Sequence, residues 1–200
     1  MTTSWAWIPH AVEAYIPARL VEQKEDSGDM VFESDTSEVI IVPAGTQCIP
    51  IADPSTLKAP PEDLVKMIEV NDASILHAVR GRFMEENIYT SLGTILISVN
   101  PFKWIAGLYE EEQSARYVAA AQRGGASGGG DDGTPQPHVF AVTQQAFMQL
   151  CDTGNDQSLI ISGESGAGKT EAVKKCLVHL TRVAGTAEEG AVSDRIVAAR

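Results

Sequence analysis

Long apolar runs are missing from this chain of 200 residues. None approaches the ~20 residues that cross a bilayer, so no transmembrane segment is expected. The N-terminus Met1-Thr2-Thr3-Ser4-Trp5 lacks the basic region and apolar stretch of a signal peptide. Cysteine is scarce. Cys48, Cys151 and Cys176 are far apart and odd in number. They form no metal or redox spacing, suit a reducing cytosol, and read as small buried hydrophobes. Positive charge is also short: 15 Lys and Arg against 27 Asp and Glu give a net charge of −12. With a pI near 4.7, that balance argues against nucleic acid or an anionic membrane as partner. What is present suffices for a core, since 44% of residues are hydrophobic and the mean hydropathy is −0.06. The length allows one domain or two small ones.

Against that background one stretch carries chemistry. Gly163-Glu164-Ser165-Gly166-Ala167-Gly168-Lys169-Thr170 fits G-x-x-x-x-G-K-[ST], the pattern of a phosphate-binding loop. Ser158-Leu159-Ile160-Ile161-Ser162 before it reads as a buried strand. Val173, Cys176, Leu177, Leu180 and Ala184 after it recur at helical spacing. Glycines let a backbone approach a ligand closely and turn its amides inward as an anion nest. A following helix adds unpaired N–H groups and the positive end of its dipole. In such a loop Lys169 places a mobile charge on the outer phosphates and the Thr170 hydroxyl is a ligand for Mg²⁺. The plainer reading is a glycine-rich turn with a surface lysine.

Earlier in the chain, short strand-like runs at Ala14–Val21, Met30–Glu33 and Val39–Val42 suggest a small all-β barrel resembling SH3 over residues 1–52. Trp5 and Trp7 read as packing anchors of that unit. Asp53-Pro54 to Pro60-Pro61 reads as a boundary. Pro61, Glu62 and Asp63 then fit the start of a helix with Leu64, Val65 and Ile68 on its apolar side. Asp72 reads as the N-cap of a second helix, whose Ile75, Leu76, Val79 and Phe83 face a core. His77 reads as a packed or surface residue. Ile88–Thr90, Ser91-Leu92-Gly93 and Thr94–Val99 read as strand, turn and strand, the second strand buried on both faces. It ends at Asn100-Pro101-Phe102-Lys103, a loop placed where α/β sheets bind ligands. Residues 122–137 are glycine-rich and read as a flexible surface insertion. Val139, Val142, Ala146, Phe147 and Leu150 mark one side of a helix leading to the glycine loop. A further helical run lies at Ser193–Arg200, with no stop signal after it.

In this order the pieces resemble the start of a myosin motor domain. The resemblance rests on Gly163 to Thr170 with Glu171, on Asn71-Asp72-Ala73-Ser74-Ile75-Leu76-His77, on Ile88-Tyr89-Thr90, and on Asn100-Pro101-Phe102-Lys103. Pro137-His138-Val139-Phe140-Ala141-Val142 and Gln157-Ser158-Leu159-Ile160-Ile161 belong to it as well. It is strong from about Glu62 to Ala184 and looser over Trp5–Ile51. It implies an α/β P-loop NTPase fold over residues 53–200, preceded by the SH3-like unit. It also implies ATP as ligand, Mg²⁺ as cofactor and the actin filament as track. Light chains or calmodulin are the further partners it implies for the intact protein. The implied location is the cytoplasmic actin cytoskeleton, within a myosin complex. Asn100, Pro101, Phe102, Lys103 and Tyr109 would surround the adenine, and Gly163 to Glu171 the phosphates. Trp104-Ile105-Ala106-Gly107-Leu108 departs from the family, being one residue longer and lacking its usual proline. The family's two switch loops, which position the attacking water, do not occur before Arg200. The chain alone is therefore expected to be inactive, and the intact protein an actin-activated ATPase motor. The resemblance also places Ile88–Thr90, Thr94–Val99 and Leu159–Ser162 in one sheet, completed by a strand from later in the chain.

Two rivals remain at this point. One is a P-loop kinase or unrelated NTPase, whose strands would alternate with helices from the start. The other is a truncated nucleotide-binding or SH3-like interaction protein without turnover. The glycine-rich insertion yields a prediction that does not depend on the choice. Closing a shorter loop changes chain entropy by well under about 1 kcal/mol. Deleting residues 124–133 from the full-length protein should therefore leave its melting temperature nearly unchanged, as calorimetry can check. A large drop would mean that the loop docks.

Overall fold

A computed structural model describes residues 4–123 and 136–186 of the chain. The chain divides into two units, Met1–Gly81 and Arg82–Arg200. Most of the glycine-rich insertion and all of the Ser193–Arg200 run lie outside the described residues.

The first unit is built on an antiparallel sheet of strands β1 (Trp5–His10), β2 (Ala14–Gln23), β3 (Met30–Ser34), β4 (Val39–Val42) and β5 (Ile49–Ile51), in the order β4-β3-β2-β1-β5. Strands β2, β3 and β4 fall on the three expected runs; the closed barrel does not form. The sheet is open, with β4 and β5 as unjoined edges. Pro50, central in the three-residue β5, has no N–H to offer a further neighbour. Alternation along the strands sends Ile8, Ala18, Phe32 and Val42 to one face, where they form a core. Trp7 and Ile51 go to the other, where they pack with Ala73. Trp7 is thus the buried anchor expected of it, and the His77 ring lies against it at 5.1 Å.

Two helical readings in this region need correction. The helix expected from Pro61 is only a single 3₁₀ turn, Leu64–Lys66, capped by the Asp63 carboxylate accepting from the Val65 N–H. Its expected apolar side splits: Leu64 is buried, whereas Val65 and Ile68 are exposed. One turn presents no stripe to a core. The next helix, α1 (Asp72–Met84), forms as expected, but Asn71 caps it. The Ser74 N–H donates to Asn71 Oδ1 at 2.9 Å, and the Asn71 N–H donates back to Ser74 Oγ at 3.0 Å. This is the reciprocal arrangement of a capping box. It places the buried line on Ala73, Ser74, Ala78 and Arg82, leaving Leu76 exposed. Of the expected stripe, Ile75, Val79 and Phe83 are half-buried, and Phe83 packs against the cluster of Ile88 and Tyr89, so the expectation fails at Leu76.

Among its described residues the second unit contains a hairpin and three helices. Strands β6 (Tyr89–Leu92) and β7 (Ile95–Ser98) pair antiparallel. The turn is Gly93-Thr94, one step later than expected, with Gly93 at φ 59°. β7 is not buried on both faces: Ile95 is 61% exposed, and β7 pairs with β6 alone among the described residues. Helix α2 (Glu111–Gln122) was not anticipated. Helix α3 (Val139–Thr153) and helix α4 (Lys169–Thr186) follow. α3 buries Val139, Phe140, Thr143 and Gln144 rather than the whole expected stripe. Its Ala146, Phe147 and Leu150 instead line an apolar groove of about 630 Å³ with Leu177, Leu180 and Ala184 of α4. Cys176 is buried, Cys48 half-buried and Cys151 exposed, so the reading of all three as buried hydrophobes fails at Cys151. The strand expected at Ser158–Ser162 is absent. Backbone there has no ladder partner among the described residues, and Ile160 is 92% exposed. A strand exists only where a neighbour completes its hydrogen bonds, and neither β6 nor β7 reaches it.

The corrected cap gives the test of this local structure. Asn71→Ala should cost about 1 kcal/mol of stability in urea unfolding of the full-length protein. Asp72→Ala should cost clearly less, since its carboxylate does not cap the helix.

Candidate functional site

The glycine loop Gly163–Thr170 leads directly into α4, whose first turn holds Lys169 and Thr170. Two glycines have conformational reasons to be there. At Gly163, with φ 154°, a Cβ would sit 3.1 Å from the Ala167 Cβ. Gly168, at φ 94°, lets the Asn100 side chain pack within 3.8 Å of where a Cβ would be. The turn is closed by the Ala167 N–H donating to the Glu164 carbonyl, and the helix opens with the Ala172 N–H donating to the Gly168 carbonyl. The N–H groups of Gly166, Gly168, Lys169 and Thr170 meet no acceptor among the described residues. The Lys169 ammonium folds over the loop and donates to the carbonyls of Gly163 at 2.7 Å and Glu164 at 2.8 Å. Free amides, a helix start and a held ammonium are the groups with which a glycine loop can hold an anion. The Thr170 side chain is exposed at its edge. At the next position Glu171 pairs with Lys174 at 2.6 Å, a bond that holds its carboxyl below the usual range.

The loop after β7 reaches this site through one side chain. Asn100 Nδ2 donates to the Gly166 carbonyl at 2.8 Å, while Asn100 Oδ1 accepts the Phe102 N–H at 3.0 Å. Phe102 is thereby held at φ 49°, its ring 85% exposed. Pro101 is half-buried. Lys103 pairs with Glu86 at 2.5 Å. Of the residues assigned to this loop, Asn100 is thus joined directly to the glycine loop, whereas Lys103 is held elsewhere.

Tyr109 stands on different ground. Its hydroxyl shares a hydrogen bond of 2.8 Å with that of Tyr89, and its ring packs edge-on against Phe140. Burial raises the pKa of both phenols. The Lys175 ammonium lies 4.4 Å from the Tyr109 ring centroid and 5.4 Å from that of Trp104. Behind Tyr109 runs a layer of aromatic and imidazole rings that the sequence reading did not assign. His138 caps α3, its Nδ1 accepting the Phe140 N–H at 3.0 Å while Nε2–H donates to the Leu108 carbonyl at 3.0 Å. His179 of α4 accepts from the Ser114 hydroxyl at Nδ1, 2.8 Å, and donates from Nε2 to Gln144 Oε1, 3.0 Å. Each imidazole therefore has one acceptor and one donor nitrogen in use, which is the neutral form. Burial pushes His138 down to about 3 and His179 down to about 4. His179 ties α2, α3 and α4 together, and α4 carries the glycine loop.

Some of these missed features left marks in the sequence. Glu110-Glu111-Glu112 followed by an alanine-rich run is the composition of a helix start and body. Its inward residues Ser114, Tyr117 and Ala120 are too mixed to register as a stripe. His138 preceded a recognised helical pattern, where a side-chain acceptor serves as cap. His179 left no such signal.

Comparison with known proteins agrees with the resemblance. Residues 61–200 match the family described as myosin head (motor domain). The chain is 35% identical over 182 residues to the high molecular weight form of myosin-1 of Acanthamoeba castellanii, a match covering 91% of this chain and 11% of that protein. It is 33% identical over 195 residues to myosin-13 of Arabidopsis thaliana, covering 96% of this chain and 12% of the relative. It is also 33% identical over 193 residues to unconventional myosin-VI of Homo sapiens, covering 96% and 14% respectively. The chain thus spans only a small part of the length of these relatives.

The neutral histidines make stability depend on pH. Both have folded-state values depressed below the ordinary 6.5, so the unfolded chain binds protons that the folded one refuses. Their contribution is intact above about pH 6.5 and is lost as pH falls towards 4. The slope should approach about 1.4 kcal/mol per pH unit for each histidine. Urea unfolding at pH 7, 6 and 5 checks this, and His179→Gln should flatten the slope.

Proposed function

Because the chain belongs to the myosin head (motor domain) family, we propose that it forms the nucleotide-binding part of an actin-based motor, with Mg·ATP as ligand. The observation that carries the reading is the glycine loop itself. Its unaccepted amides, the start of α4 and the Lys169 ammonium lie within one eight-residue loop, a set of groups that suits a polyphosphate.

The roles of the residues follow from their chemistry. Gly163, Glu164, Ser165, Gly166, Ala167 and Gly168 supply backbone around the phosphates. Lys169 turns from the Gly163 and Glu164 carbonyls to the outer phosphates, exchanging two neutral acceptors for charged ones. Thr170 would hold Mg²⁺, which supplies charge neutralisation on the phosphate oxygens when bound. Its exposed hydroxyl beside the loop fits that part. Glu171 completes the first turn of the helix. Asn100 fixes the position of the base loop against Gly166, and Pro101, Phe102, Lys103 and Tyr109 would frame the base. Residues 1–52 are proposed as an SH3-like β unit, and residues 53–200 as part of the motor domain. Coupling of hydrolysis to movement on actin, light-chain or calmodulin binding and a cytoskeletal location are proposed for the intact protein. The chain covers 11% to 14% of the relatives named above.

Calorimetry on the full-length protein tests the assignment. Lys169→Ala should weaken Mg·ATP by about 1.5–3 kcal/mol, the range for a hydrogen bond to a charged group. Thr170→Ala should weaken ATP mainly when Mg²⁺ is present. Unchanged Mg·ATP affinity in Lys169→Ala would falsify the site.

A further inference from the structure

The base loop is tied to the glycine loop by Asn100 at its start, but its far end at Trp104 and Tyr109 has a different attachment. Lys175 lies on α4, six residues after Lys169. Its ammonium sits 4.4 Å from the Tyr109 ring centroid and 5.4 Å from that of Trp104. The two rings lie 6.2 Å apart and tilted by 58°, so one cation faces both. Lys175 makes no hydrogen bond or ion pair among the described residues; Glu171 attracts it through space, but its carboxylate is bonded to Lys174. Trp104 is 69% exposed, and its recorded ring contacts are with Tyr109 and Lys175. The backbone between them gains no ladder bonds and turns at Gly107 with φ 77°. The Tyr109 carbonyl accepts from Arg182 of the same helix at 3.2 Å, which fixes the end of the loop but not the direction of its rings.

We propose that Lys175 is a positioning residue for base recognition: by holding the Tyr109 and Trp104 rings against α4, it sets the base-binding loop relative to the phosphate loop. This rests on the nucleotide reading above. A cation facing a half-buried tyrosine and an exposed tryptophan is attracted through the ring quadrupoles, and here it joins two segments that are far apart in sequence. The helix that grips the phosphates then also sets the wall of the base pocket.

The experiment separates the two halves of the ligand. Mg·ATP and Mg·pyrophosphate affinities are measured by calorimetry on the full-length protein, for the wild type, Lys175→Met, Lys175→Arg and Trp104→Leu. Lys175→Met should weaken Mg·ATP about three- to tenfold, the scale of one cation–π contact, and leave Mg·pyrophosphate unchanged. Lys175→Arg should restore ATP affinity, and Trp104→Leu should repeat the selective loss. Equal weakening of both ligands with a lowered melting temperature would make Lys175 a structural strut and overturn the proposal. So would unchanged affinity for both. A wild type that binds neither ligand would instead sink the nucleotide reading, and the clamp with it.

Discussion

The hydrogen bond from Asn100 Nδ2 to the Gly166 carbonyl is the contact on which the site depends. It joins segments 66 residues apart and spends both ends of one amide. The oxygen shapes the Asn100–Phe102 turn and the nitrogen holds the glycine loop. Aspartate in its place would keep the first bond and lose the second, because it has no donor. Gly168 is small for the same contact, its open side being where Asn100 packs. The geometry of the glycine loop is thus set partly from outside by a side chain that is not in its pattern.

Much of the second unit serves to keep that arrangement in place. Phe140 stacks on His179 at 4.8 Å and His138 on Tyr117 at 5.1 Å, so the helices meet through rings whose polar atoms are all satisfied. A buried imidazole with both nitrogens occupied costs little and fixes orientation, whereas an unpaired one would cost a desolvated hydrogen bond. These contacts hold α4 against α2 and α3, and the glycine loop inherits its position from α4.

How much of this was legible depended on whether a feature is local. The glycine loop was readable because its glycines, Lys169 and Thr170 answer needs within eight residues of backbone. Three strands of the first unit, β2, β3 and β4, were readable from strand-like runs between turn residues. Closure of that sheet was not, since it depends on pairing between distant strands, and Pro50 was a visible warning. The strand at Ser158–Ser162 was read from β-branched content, but pairing, not composition, makes a strand, and no described segment pairs with it. In α1 the apolar spacing pointed to Leu76, while packing selected Ala73 and Ala78. His179 was invisible because its partners Ser114 and Gln144 are 65 and 35 residues away.

The neutrality of the two imidazoles has an electrostatic consequence for the site. Around neutral pH His138 and His179 are titration-silent. No cation comes and goes among the rings that support α4. The field that an incoming anion meets at the glycine loop then takes no contribution from a charge on either imidazole.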